Sequence, residues 1–146
     1  MNSPLLKAIA AGLLLASLVN PVQAEVLITP QEAALPAAPD TSLTFRGVTR
    51  GPKVQLVSPS SSNSPMKFVL KFESFGGSKI DLSSVKVSYL KSPTVDITAR
   101  IAKFMKETGV EIDGAIIPPG DHVLKVDLKD DQGRIGSANI KLKITN

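Results

Sequence analysis

The sequence predicts an all-β protein: an antiparallel sandwich of about seven strands with one short helix in the connection between the third and fifth strands. Three observations carry this. First, Leu124, Val126 and Leu128 alternate with Val123, Lys125 and Asp127, and Ala138, Ile140, Leu142 and Ile144 alternate with Asn139, Lys141 and Lys143. A period of two sends each apolar set to one face of a pleated strand, whereas a helix would scatter both sets around its circumference. Second, Met66, Phe68, Leu70 and Phe72 alternate in the same way with Lys67, Val69, Lys71 and Glu73. Third, Gly, Pro, Ser and Asp punctuate the chain between these segments, and no long helices alternate with continuous apolar strands as a doubly wound fold requires.

Taken in order, the chain begins with Lys7 and an apolar run from Ala8 to Val19. That run is too short to span a bilayer, and Val22-Gln23-Ala24 offers small residues for processing. Residues 1–24 are expected to be a secretory signal peptide cleaved after Ala24. Residues 25–50 contain Pro30, Pro36 and Pro39 among alanines, and are expected to be a linker or N-terminal arm. Thr44–Arg50 is expected to form a short edge strand.

Residues 51–146 are expected to be the folded domain. Val54 and Leu56 lie on its first strand, and Ser58–Pro65 is a loop. Met66–Glu73 is the second strand. After a Gly- and Ser-containing loop from Phe75 to Ser84, Val85, Val87 and Tyr89 face inward on the third. Asp96–Glu107 places Ile97, Ile101, Phe104 and Met105 on one stripe, which predicts a short helix capped by Asp96 and ended at Gly109. Glu111–Ile117 is a further strand. Pro118-Pro119-Gly120 turns the chain into a hairpin closed at Lys129–Arg134, where Gly133 tolerates positive φ.

Pro118 to Gly136 (Pro-Pro-Gly-Asp-His-Val-Leu-Lys-Val-Asp-Leu-Lys-Asp-Asp-Gln-Gly-Arg-Ile-Gly) resembles the closing strands of bacterial immunoglobulin-like, fibronectin III-like, exported domains. Gly76 to Val87 (Gly-Gly-Ser-Lys-Ile-Asp-Leu-Ser-Ser-Val-Lys-Val) is similar to their B–C region. The resemblance covers most of Gly51–Asn146. It implies an immunoglobulin-like sandwich in which strands C, F and G neighbour one another. Such domains serve as spacers, stalks, binding modules and enzyme appendages, so the resemblance speaks to fold more than to function.

The chemistry available is sparse. The chain has no Cys, no Trp, one Tyr and one His. A cysteine-free exported protein points to a bacterial periplasmic or secreted setting, because small eukaryotic secreted domains are usually disulfide-dense. His122 shares parity with Leu124, Val126 and Leu128 and is expected to pack inward at the start of its strand. It has no second His or Cys with which to hold zinc. Neighbouring Asp121 points to the opposite face, which breaks any catalytic triad, and no serine stands in Gly-x-Ser-x-Gly. Asp127, Asp130 and Asp131 do not have calcium-loop spacing. Gly76-Gly77 does not form a phosphate loop before a helix. Met1, Met66 and Met105 with His122 make no metal-carrier cluster. No catalytic residue, cofactor or metal is therefore assigned.

The leading expectation is a non-enzymatic binding or scaffolding module of the bacterial envelope. A subunit or accessory domain of an envelope enzyme comes second, and a periplasmic metal carrier third. The candidate binding residues are Lys86, Lys125, Lys141 and Lys143, expected on one solvent face with Ser88 and a single acid, Asp127. Clustered lysines raise the local potential and attract anions. An envelope protein or an acidic glycan or lipid surface is the expected partner. Nucleic acid is not expected, nor is a transmembrane segment in the mature chain.

Overall fold

The computed structural model describes residues 24–39 and 50–146. The signal peptide expected over residues 1–24 lies almost wholly outside the described residues, as does the edge strand expected over Thr44–Arg50. The described chain is mostly strand, arranged as two mixed sheets packed against each other. In chain order the elements are β1 (Glu25–Val26), α1 (Pro30–Ala33), β2 (Lys53–Leu56), β3 (Ser61–Asn63), β4 (Met66–Glu73), β5 (Ile80–Tyr89), β6 (Val95–Asp96), α2 (Thr98–Ala102), β7 (Met105–Lys106), β8 (Gly109–Ile116), β9 (Gly120–Asp130) and β10 (Ile135–Thr145). One sheet runs β1–β8–β4–β2, with β7 also on β8, and the other runs β3–β10–β9–β5–β6.

The long strands follow the alternation in the sequence. On β4, Met66, Phe68, Leu70 and Phe72 are buried and Lys67 and Lys71 are exposed. On β9 and β10, Leu124, Val126, Leu128, Ile140, Leu142 and Ile144 are buried. They meet Phe68, Leu70, Val87, Tyr89, Val110 and Ile112 between the sheets in one apolar core. Burying such a side chain contributes roughly 1.5–3 kcal/mol, so the period-two pattern is also the main source of stability.

The chain departs from a purely antiparallel sandwich at its edges. β1 pairs parallel with β8, and β3 pairs parallel with β10. β3 lies inside the stretch expected to be a loop. Among the described residues there are ten strands rather than about seven, and β1, β3, β6 and β7 are each only two or three residues long. Strands this short carry no readable alternation, and they exist because a neighbouring long strand offers unpaired backbone groups.

The helix expected over Asp96–Glu107 is confined to Thr98–Ala102. Ile97 and Ile101 are fully buried, as the stripe requires. Strand pairing then takes over, because Met105 lies opposite Val110 and Lys106 opposite Gly109. Gly109 does not end the helix; it opens β8 at φ 147°, where an added Cβ would stand 1.9 Å from the Leu70 carbonyl oxygen. Asp96 is not the N-cap, a position held by Ile97 without a side-chain bond, but its Oδ1 accepts from Thr98 N, the first helical residue, at 2.9 Å. Gly136 also permits close approach. A Cβ there would meet the Pro52 carbonyl oxygen at 1.9 Å, so residues 51 and 52 cross directly against the start of β10.

Residues 25–38 are not a free arm. Leu27 and Ile28 are fully buried in the core, and both backbone N–H groups donate to the Ile116 carbonyl. Thr29 and Glu32 form a capping box around α1. Arg100 donates to both carboxylate oxygens of Glu32, at 2.8 and 2.6 Å, and to the Leu27 carbonyl at 3.0 Å. Further along, Ser92 N donates to the Pro36 carbonyl and Ala38 N to the Leu90 carbonyl. Three prolines made this stretch read as a linker, but two apolar residues and two ion pairs, Glu32 with Arg100 and Glu25 with Lys103, tie it down.

Candidate functional site

Strand parity and sheet order decide which side chains share the outer face of β5, β9 and β10. In the register, Lys86 lies opposite Asp127, Ser88 opposite Lys125, Lys141 opposite Val123, and Lys143 opposite Asp121. Lys86, Lys125, Lys141 and Lys143 thus come together on one face. Asp127 is not the single acid there. Asp121 shares its parity on β9, and Asp96 lies opposite Ser88 from β6.

The charges on this face are unequally engaged. Lys125 Nζ lies 3.2 Å from Asp127 Oδ2, and Ser137 Oγ donates to Asp127 Oδ1 at 2.6 Å. The centre of the face is therefore largely self-compensated. Asp96 accepts from the hydroxyl and backbone N–H of Thr98, which hold its carboxyl below the usual range, with Lys86 adding to the effect. Lys141 and Lys143 are exposed on β10, and among the described residues neither has an acid within ion-pair distance. With Ser60, Asp121 and His122 they border an open depression of about 340 Å³. A second depression, of about 290 Å³, lies over Val57, Val69, Lys71 and Lys106 on the other sheet.

His122 sits beneath the first depression, 3 % exposed. Its Nε2 is 2.7 Å from the Pro118 carbonyl oxygen and its Nδ1 is 2.8 Å from Tyr89 Oη. A carbonyl can only accept, so Nε2 carries the proton; in the neutral ring Nδ1 then accepts from the Tyr89 hydroxyl. Burial pushes the imidazole below its ordinary value, and Lys91 pushes the same way, against the opposing effects of the Pro118 carbonyl and Asp121. Burial, with the charge of Glu32, pushes the Tyr89 hydroxyl up to about 12. Both ring nitrogens are used inside the protein, and Asp121 lies on the exposed face. The inward position is the one the parity of His122 predicts, and the pair is equipped to tie β5 to β9 and to the Pro118 corner rather than to activate a nucleophile.

The densest carboxylates do not converge. Asp127 faces outward and Asp131 is exposed in the turn, while Asp130 is turned inward. Burial alone would raise the Asp130 carboxyl, but Arg134, Ser78 and the Gln132 backbone donate to it and hold it below the usual range. Asp130 thereby ties the β9–β10 turn to the loop after β4. Its role is visible in sequence only as an Asp followed four residues later by Arg, a spacing that many turns share. Among the described residues no three His, Asp or Glu side chains gather as a metal ion needs, and no helix is long and apolar enough to cross a membrane. Comparison with protein-family models and with curated proteins gives no match to this chain.

Proposed function

We propose that this chain is a non-enzymatic binding or scaffolding module of the bacterial envelope, which engages an acidic partner through the end of β10. The observation that carries the reading is the pair Lys141 and Lys143. They stand two residues apart on one strand, about 7 Å along it, and border a depression with no acid in ion-pair contact among the described residues. Lys125 spends its charge on Asp127, so the binding end of the face is narrower than the four lysines together. The order β2–β4–β8 packed on β10–β9–β5 supports an immunoglobulin-like sandwich, in which C, F and G are neighbours.

Export fits the same reading. Lys7, the apolar run and Ala24 support a cleaved leader and a periplasmic or secreted destination. Cleavage after Ala24 would leave Glu25 first, and Glu25 is already held by Lys103 at 2.5 Å. Sequencing the N-terminus of the protein recovered from an envelope fraction tests the cleavage, and a chain still beginning at Met1 rejects it.

The acidic-partner reading is tested on immobilised heparin and on anionic vesicles across a salt series. Lys141→Glu/Lys143→Glu should lose about tenfold or more in apparent affinity at low salt, and the difference should shrink as salt rises. Lys125→Glu should lose less, because it removes a charge already compensated. Equal retention of wild type and the double variant would reject β10 as the binding edge.

A further inference from the structure

The N-terminal segment is built as a separable plug. Residues 25–38 contact the rest of the molecule through β8, α2 and the end of β5, and covalently they join it only through Pro39 and the ten residues 40–49. The plug carries its own complement of recognition groups. It supplies a two-residue strand, Leu27 and Ile28 for the core, and the Glu32 carboxylate. The seat supplies the edge of β8, the guanidinium of Arg100, the ammonium of Lys103 and the backbone around Leu90 and Ser92. Withdrawing the plug breaks no other strand, because β1 lies at the sheet edge.

We propose that this seat also accepts residues 25–38 of a second copy of the chain, so that copies associate by exchanging their N-terminal segments. Every contact inside the seat is the same in the closed and the exchanged form, because the same residues fill it. The difference between the two forms lies in the tether. A tether of this length keeps the closed form at a high effective concentration, so exchange is favoured by crowding copies at a surface or by refolding at high concentration. The ionic clamp makes the exchanged form selective, since a foreign strand lacking an acid at the position of Glu32 would leave Arg100 without its bidentate partner.

The chain contains no Cys, which makes the test direct. Val26 and Ile116 are register partners across β1 and β8. Chains carrying only Val26→Cys are refolded together with chains carrying only Ile116→Cys at high concentration, then oxidised. The expected product is a disulfide-linked dimer of one chain of each kind, about tenfold above the yield from Lys53→Cys with Ile116→Cys. A chain carrying both Val26→Cys and Ile116→Cys, oxidised before concentration, should stay monomeric by sedimentation, and after reduction it should dimerise like the wild type. Mixed dimer no greater than the control, with wild type monomeric after concentrated refolding, overturns the proposal. So does a locked chain that dimerises as readily as the reduced one, because association would then use another surface.

Discussion

The side chains of Tyr89 and His122 illustrate how a polar pair can live inside an apolar core. Each makes its hydrogen bond within the protein, and the ring orientation follows from the Pro118 carbonyl. Tyr89→Phe would leave Nδ1 buried without a donor, and should cost about 1–3 kcal/mol in chemical denaturation. The pair also predicts a pH dependence. The folded imidazole titrates below the 6.5 of the unfolded chain, so the unfolded state takes up the proton first as pH falls. Stability from this group is present above pH 6.5 and declines as pH drops from there toward the lowered folded value. Urea midpoints measured across that window should fall for the wild type and flatten for His122→Gln. The inward position of His122 was legible from its parity with Leu124. Its partners were not, because Pro118 and Tyr89 reach it through a corner and a neighbouring strand that no local spacing encodes.

Elements behave according to how much alternation they contain. On β4, Leu70→Ala should cost about 2–5 kcal/mol through lost burial and a residual cavity, whereas Lys71→Ala should cost well under about 1 kcal/mol. Equal losses would indicate a register one residue away. β4, β9 and β10 were legible because eight or more residues repeat the pattern. β1 was not legible: two residues have no period, and the prolines after them argued for a linker. What holds that segment is an ion pair spanning 68 residues, which local sequence cannot announce. Hydrogen bonds from Arg100, against an opposing effect of burial, lower the Glu32 carboxyl from 4.5 to about 2. Its stabilisation is therefore present above pH 4.5 and is lost as pH falls toward 2. Glu32→Gln should cost about 1–2 kcal/mol at neutral pH, after discounting for solvent around the pair, and thermal melts of variant and wild type should converge as the solution is acidified.

At the scale of the molecule, the sheet order brings residues from three strands onto one face, and parity together with the strand order implied by the resemblance assigned the four lysines to it. Parity also assigns Asp121 to it, because Asp121 shares the parity of Lys125 and Asp127 along β9. Asp96 could not be assigned that way: it joins the face through the short pairing of β6 with β5. Net charge has the same weakness as a guide. The whole chain carries a formal +4, yet the local balance runs from a compensated centre at Lys125 and Asp127 to an end where Lys141 and Lys143 are faced by Asp121 alone.

Tyr89 has one more consequence. It is the single tyrosine of a chain without tryptophan, it is fully buried, and the backbone beside it at Leu90 receives Ala38 of the N-terminal segment. Nearly all the tyrosine-band fluorescence and near-ultraviolet circular dichroism of the protein therefore originate at one seam, where β5, β9 and the incoming chain meet. The molecule carries a built-in optical reporter at the place where residues 25–38 dock, and a spectrum can follow that docking without any label.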